Sequence, residues 1–123
     1  MLGAAKMLHE QGFLPCVAHT AYYSCFQLMK HIWLHSMSRT EDELGSEISQ
    51  SNQGSHAYLL NAIANHVHQN QKQADDSRNI RNLLPQLRSL RVKADYKDED
   101  ISSDDSQKAL ALSQEILPIL KKY

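Results

Sequence analysis

Apolar residues recur at intervals of three and four along most of this chain, and no segment alternates between apolar and polar residues. Intervals of three and four match the 3.6-residue turn of an α-helix, whereas a half-buried strand requires alternation. The four glycines all fall at the ends of the apolar stretches or between them. The pattern therefore predicts an all-α fold, an antiparallel bundle of four to five helices, in a single domain that spans residues 1–123.

The apolar stripes predict where the helices lie. They cover about 2–11, 14–36, 55–69, 75–96 and a last stretch from residue 102 or 103 to about 121. Pro85 falls inside the helix over 75–96 and should kink it, because a proline cannot donate the intrahelical hydrogen bond. The residues expected to face the core are Ala5, Leu8, Leu14, Val17, Ala18, Ala21, Tyr22, Cys25, Leu28, Met29, Ile32, Leu59, Leu60, Ile63, Val67, Ile80, Leu83, Leu84, Leu87, Leu90, Ala109, Leu112, Ile116, Ile119 and Leu120.

The stretch 37–54 differs from the rest because serines, acids and amides dominate it and it has little to bury. Segments of this composition cannot offset the entropy of ordering by burying apolar surface. We therefore expect a loop here, either a mobile lid or a partly disordered connection.

Charge and cysteine content indicate the environment of the chain. With 13 basic and 14 acidic side chains, no global attraction to nucleic acid or to a membrane is expected. Cys16 and Cys25 lie on opposite faces of one predicted helix, about 13 Å apart along its axis, too far for a disulfide. Reduced thiols and the absence of a signal peptide pattern predict a cytoplasmic protein. The longest apolar helix carries His19, Gln27 and Lys30, so no membrane association is expected.

The helix predicted over 75–96 carries a local excess of basic residues. Between residues 72 and 97 there are seven cations (Lys72, Arg78, Arg81, Arg88, Arg91, Lys93, Lys97) and three anions (Asp75, Asp76, Asp95). Arg78, Arg81 and Arg88 share one flank of the helix, and Arg91 lies at the border of the apolar face. The excess is either a solvated charged face or a track for phosphate, for which the forked donors of arginine are suited.

The end of that helix gathers donors, an acceptor and a phenol in few residues. Arg91 and Asp95 are four residues apart, so they can pair on the helix surface, a contact worth about 0.2–0.5 kcal/mol. Tyr96 follows directly. This group is either an anchor for the next helix or part of a site.

Several of these residues resemble a known family. Gly12-Phe13, Ala18, Ala21-Tyr22-Tyr23 and Phe26 resemble the second-helix signature of HEPN domains, and Arg91, Ala94-Asp95-Tyr96, Ile101-Ser102, Ala109 and Ile116 resemble the end of the same domain. The likeness extends from about residue 5 to 120 and is greatest to the stand-alone prokaryotic HEPN proteins. It implies a helical bundle that forms a homodimer through its long helices, and Tyr23 is a candidate for the partner or dimer face.

The resemblance also implies two classes of function. Many HEPN proteins are metal-independent ribonucleases, often toxins, that use an arginine and a histidine separated by four to six residues. Others are partners of small nucleotidyltransferases or non-catalytic binding modules, including members of toxin–antitoxin and defence systems.

This chain departs from the nuclease pattern, because its last histidine is His68 and Arg91 is followed at that spacing by Tyr96, Lys97 and Asp98. A tyrosine, with a pKa of about 10, is a poor substitute for an imidazole in acid–base chemistry near neutrality.

The sequence therefore predicts a non-catalytic binding module, the partner of a nucleotidyltransferase-type protein or of nucleic acid, in which Arg81, Arg88 and Arg91 bind a nucleotide or RNA phosphate. The alternative is a ribonuclease in which Arg91 holds the scissile phosphate and Asp95 or Tyr96 assists. No cofactor is expected. His31 and His35 could place two imidazoles on one metal ion, but no third ligand stands at a suitable spacing, so no metal site is predicted.

Overall fold

The computed structural model describes residues 14–95 and 103–123, and within these ranges the chain is helical with no strand. The helices are α1 Leu14–His31, which continues as a π-helical turn over Ile32–Ser36, α2 Glu41–Ser51, α3 Ser55–Gln69, α4 Asp76–Asp95 and α5 Ser103–Leu120. The all-α prediction is confirmed, and four of the predicted helices are present within a residue or two of their expected ends. The helix predicted over 2–11, with Ala5 and Leu8, lies outside the described residues.

Helix α1 carries the largest share of the core. It packs against α5, α4 and α3, and its inward stripe is buried almost completely. The predicted core residues of α3, α4 and α5 are buried as well, except for Leu60, Leu83, Leu90 and Ile119, which are partly buried, as is Leu28 of α1. Trp33 follows α1 and is buried, with its indole Nε1 donating to the carbonyl oxygen of Thr40 at 2.8 Å. The apolar periodicity of the sequence therefore identified the core.

Helices α3 and α4 form an antiparallel pair, and polar contacts between them show how they are aligned. The Ser77 hydroxyl near the start of α4 donates to the carbonyl oxygen of Ala64 at 3.0 Å. One turn further along α4, the Arg81 guanidinium donates to Asn61 and Asn65 of α3. The same alignment places the start of α3 beside the second half of α4. Helix α4 continues through Pro85 as one helix.

The expectation of a loop over 37–54 is wrong for its central part, because α2 occupies 41–51. Thr40 and Glu43 form a capping box, in which the backbone N–H of Glu43 donates to the Thr40 hydroxyl at 3.1 Å and the Glu43 carboxylate accepts from the backbone N–H of Thr40 at 3.2 Å. The first turn is acidic and complements the helix dipole. The helix buries little apolar surface, since Leu44 is its single buried residue and Ile48 is partly buried.

The remaining expectations on this scale concern the cysteines and the membrane. Cys16 is exposed and Cys25 is buried, and both are free thiols, as their placement on opposite faces of one helix predicted. No helix in the described part of the chain combines the length and apolar character that crossing a bilayer requires.

Candidate functional site

A cavity of about 210 Å³ opens between α1, α3 and α4. The residues that line it are Tyr22, His56, Ala57, Leu60, Leu84, Pro85 and Arg88. Most of the wall is apolar, and the polar groups are a phenol, an imidazole and a guanidinium. An apolar hollow with a few polar groups at defined positions is the usual form of a small-molecule site. Its volume is below the roughly 300–1,000 Å³ of sites for drug-sized ligands, so it suits a single small group.

A hydrogen bond between Tyr22 and His56 joins α1 to α3 at the wall of this cavity. The Tyr22 hydroxyl oxygen lies 2.5 Å from His56 Nδ1. Burial raises the pKa of the Tyr22 phenol to about 12, although the charges of Arg88 and Arg91 act in the opposite direction. The phenol is therefore protonated at neutral pH and has a proton to donate.

The pKa of His56 is lowered by burial and by the positive charges of Arg88 and Arg91. The imidazole is consequently neutral at pH 7, and its tautomer decides what it can do. When Tyr22 donates to Nδ1, the imidazole proton is on Nε2, which is then a hydrogen-bond donor. When Nδ1–H donates to the Tyr22 oxygen instead, Nε2 is a base.

Arg91 is positioned by aromatic rings of α1. Its guanidinium carbon lies 5.5 Å from the ring centroid of Tyr22 and 5.4 Å from that of Tyr23. Cation–π contacts of this kind contribute about 0.5–2 kcal/mol, depending on how far the cation is desolvated. Tyr23 is half-buried and also contacts His19, with ring centroids 4.6 Å apart. Tyr23, which the sequence suggests for a partner or dimer face, therefore also contacts Arg91 within the molecule.

The structure separates the basic residues of α4 by their surroundings. Arg78 forms an ion pair with Asp75 at 2.8 Å, and Lys93 forms one with Asp105 at 2.9 Å. Among the described residues no carboxylate pairs with Arg88, which lies at the cavity. Arg81 is held by two neutral amides, with distances of 3.1 Å from Nη1 to Asn61 Oδ1 and 2.7 Å from Nη2 to Asn65 Oδ1.

The predicted site residues Arg81, Arg88 and Arg91 therefore all lie on α4, and Arg88 and Arg91 are close together. Arg88 and Arg91 both act on Tyr22 and His56, whereas Arg81 lies further toward the start of α4. The side chain of Asp95 and all of Tyr96 lie outside the described residues, so the expected Arg91–Asp95 pair is not part of this description.

Sequence reasoning missed His56, because it searched for a histidine at a short spacing from an arginine. His56 is supplied by a different helix, 32 residues before Arg88 in the chain. One signal was available: His56, Leu60, Ile63 and Val67 follow the helical interval, so a polar residue begins the inward stripe of the predicted helix. A polar group placed on a buried face needs a partner, and Tyr22 provides it.

The other histidine pair has a simpler outcome. The rings of His31 and His35 lie on one face of the helix, as their spacing predicted, with centroids 4.3 Å apart and planes tilted by 39°, and both residues are exposed. In the ranges 14–95 and 103–123, no three His, Cys, Asp or Glu side chains are grouped so that they could hold a metal ion.

Comparison of the chain with protein families, with characterised proteins and with solved structures finds no match.

Proposed function

We propose that this protein is a non-catalytic, HEPN-like module that binds nucleic acid. The cavity between α1, α3 and α4 holds a single nucleotide of the ligand. In this proposal a base or sugar occupies the apolar hollow and its phosphate lies on Arg88, with Arg91 adding positive charge. The observation that carries the proposal is the position of Arg88, which lines an apolar cavity and has no carboxylate partner within residues 14–94 and 103–123.

The physical chemistry of the site supports a nucleotide over a free anion. An inorganic anion would leave the walls formed by Ala57, Leu60 and Leu84 uncovered, whereas a nucleotide offers both a flat apolar surface and a charge. When Tyr22 donates to Nδ1, neutral His56 has its proton on Nε2 and adds a donor to the positive charge of Arg88. Forked guanidinium donors bind phosphate oxygens in pairs, which orients the ligand as well as attracting it.

The protein partner of the nucleotidyltransferase type, the homodimer and a place in a toxin–antitoxin or defence system stay predictions that depend on the HEPN resemblance. The geometry of the cavity favours the nucleic-acid branch, because the site is concave and small. A stable protein–protein contact instead needs on the order of 800 Å² of surface from each partner.

The test is to titrate a nucleoside monophosphate into the purified protein and follow binding by calorimetry, together with amide NMR shifts at Tyr22, His56 and Ala57. Arg88→Ala should weaken binding about tenfold, which corresponds to the loss of a hydrogen bond to a charged group. Arg78→Ala is the matched control, because Arg78 is on the same helix but is paired with Asp75.

The control variant should bind as the wild type does. Equal affinity in wild type and Arg88→Ala, or shifts that avoid the cavity, would contradict the proposal.

A metal-independent ribonuclease is the second candidate, and the position of His56 is the observation that favours it. The histidine that the local spacing lacks is brought to the two arginines by α3. As a base, His56 would need its proton on Nδ1, donated to the Tyr22 oxygen, so that Nε2 could accept a proton from a ribose hydroxyl. Arg88 and Arg91 would then stabilise charge on the phosphate. This candidate ranks second because the protonated Tyr22 phenol can itself donate to Nδ1, which leaves Nε2 protonated.

Incubation of wild type, His56→Ala and Arg91→Ala with mixed RNA in EDTA separates the two candidates. Cleavage by wild type that both substitutions abolish, with all three proteins folded by circular dichroism, would replace the binding module with the nuclease. Intact RNA in every sample supports the binding module.

A further inference from the structure

The strongest feature outside the cavity is the clamp, by which we mean Arg81 of α4 with Asn61 and Asn65 of α3. Two separate guanidinium nitrogens donate to two separate amide oxygens, at 3.1 and 2.7 Å. Two contacts from a facing helix fix both the position and the plane of the guanidinium. Five N–H donors are available on an arginine, so three remain after these two bonds.

The clamp orients Arg81 without neutralising its charge. Two other arginines in the described ranges are held by carboxylates: Arg39 by Glu43 and Glu47, and Arg78 by Asp75. Amide oxygens hold a guanidinium in place but carry no net charge, so Arg81 keeps its full attraction for an anion. A fixed cation with spare donors loses little side-chain entropy when a phosphate binds.

The clamp and the cavity lie on one line. Arg81 and Arg88 are seven residues apart on α4, which places them on the same stripe of the helix about 10.5 Å apart along its axis. On α3, Asn61 lies one turn beyond Ala57, which lines the cavity. Both helices therefore lead from the cavity to the clamp along the groove between them.

The distance of about 10.5 Å between Arg81 and Arg88 along the helix corresponds to a few nucleotides of a nucleic-acid strand. A stacked strand advances about 3.4 Å per nucleotide, so a phosphate on Arg88 and another on Arg81 would be about three nucleotides apart. A mononucleotide that occupies the cavity cannot reach the clamp.

We propose that the clamp is a second phosphate subsite and that the ligand of this protein is a single-stranded oligonucleotide that runs along the α3–α4 groove from the cavity to Arg81. This inference rests on the proposed nucleotide binding at the cavity and adds the length and direction of the ligand.

The experiment compares a nucleoside monophosphate with fluorescently labelled single strands of two, four and eight nucleotides, each as RNA and as DNA. In wild type the affinity should rise steeply between one and four nucleotides. Arg81→Ala should lower the affinity for the four-nucleotide strand about tenfold and leave the monophosphate unchanged. It should also reduce the slope of log K against log salt by about 0.7, the value for one phosphate contact on a single strand.

Two further variants test the clamp itself. The double substitution Asn61→Ala with Asn65→Ala keeps the charge of Arg81 but removes its orientation, and should also weaken the four-nucleotide strand. Arg78→Ala, whose side chain is 78% exposed and paired with Asp75, is the control and should leave the affinity within twofold of wild type. Thermal melting of each variant checks that the protein is folded.

The outcomes distinguish the two proposals. If the monophosphate binds but affinity does not grow with length, or if Arg81→Ala has no more effect than Arg78→Ala, the second subsite is overturned and the cavity proposal stands. If neither the monophosphate nor any strand binds, both proposals fail. Length dependence that Arg81→Ala removes supports the subsite, and the RNA and DNA series then identify which strand the groove prefers.

Discussion

Tyr22 is the residue on which the parts of the candidate site meet. Its side chain is 1% exposed, its hydroxyl contacts His56 Nδ1 at 2.5 Å, and its ring lies beneath the guanidinium of Arg91. The same phenol thus supports a residue of α3 and a residue of α4 from α1. A buried hydroxyl must find a hydrogen-bond partner, and this requirement holds the imidazole at the cavity.

The protonation of His56 should respond to its two arginine neighbours. Because burial, Arg88 and Arg91 lower its pKa, removing one positive charge with Arg88→Ala should raise the pKa toward the ordinary value of 6.5. The measurement is an NMR titration of the His56 ring proton, with Arg78→Ala as the control. An unchanged or lower pKa in Arg88→Ala would contradict the electrostatic coupling of these residues.

The lowered pKa of His56 also makes the stability of the fold depend on pH. A histidine whose pKa is lower in the folded state than in the unfolded state takes up its proton in the unfolded chain first. His56 should therefore contribute nothing to the pH dependence above about pH 7 and should destabilise the fold as the pH falls through 6.5 toward its folded pKa.

At the scale of elements, α2 shows how a polar segment becomes a helix. Arg39 lies over the Trp33 ring at 4.5 Å and pairs with Glu43 at 2.6 Å, while Tyr58 of α3 donates to the Glu47 carboxylate. These contacts tie α2 to α1 and α3 with little apolar burial. Thr40 begins the helix, and its backbone carbonyl also accepts the Trp33 indole N–H.

Thr40→Ala should weaken this element specifically. The substitution removes the hydroxyl of the capping box but keeps the backbone carbonyl, so we expect a loss of about 1 kcal/mol in the free energy of unfolding. Urea unfolding followed by the fluorescence of Trp33, the single tryptophan of the chain, measures it. Thr40→Ser is the matched control, because serine caps a helix as well as threonine does, and it should unfold at the wild-type urea concentration. Equal stability of the alanine and serine variants would contradict the importance of the cap.

At the scale of the whole molecule, a polar cluster joins three helices far from the cavity. The carboxylate of Asp76, at the start of α4, is 3% exposed and accepts from the Tyr123 hydroxyl at 2.6 Å and the Lys122 ammonium at 2.9 Å. The backbone N–H of Lys72 donates to the same hydroxyl, and the Ser36 hydroxyl after α1 donates to the Tyr123 carbonyl. Residues that follow α1, begin α4 and follow α5 are thereby fastened together.

Tyr123→Phe should destabilise the fold in a pH-dependent way. Burial alone would raise the pKa of Asp76, but the Tyr123 hydroxyl and Lys122 outweigh it, so the folded-state pKa is lowered below 3.8. A carboxyl of this kind stabilises the fold above its unfolded pKa and loses that contribution as the pH falls through the folded pKa. We expect a loss of about 1.5 kcal/mol at pH 7, the value for a hydrogen bond to a charged group.

The loss should shrink below about pH 4, because Asp76 is then protonated in the unfolded chain. Urea unfolding of both proteins between pH 3 and 7 measures the difference. A difference that stays constant with pH would show that the carboxylate is not involved. Ser77→Ala is the control, since the Ser77 hydroxyl donates to the backbone carbonyl of Ala64 and not to a carboxylate, so its effect should not change with pH.

Much of this protein could be predicted from the order of its residues. The helices α1, α3, α4 and α5 and their core stripes follow from the interval at which residues such as Ala21, Ile63 and Ile116 recur, because a helix turns at a constant rate and burial rewards one face. Helix α2 was predictable too, since the Thr40–Glu43 capping box is a local pattern, but a search for apolar residues does not detect it.

The candidate site needed the tertiary structure. Arg88 and Arg91 could be found along the sequence because they are local to one helix. His56, Asn61 and Asn65 could not be connected to those arginines, because the register between two antiparallel helices is set by side-chain packing and not by spacing along the chain. The sequence by itself determined which face of each helix is buried. The packing of α3 against α4 decided which polar groups meet, because the alignment of two helices depends on how side chains from the whole core pack together.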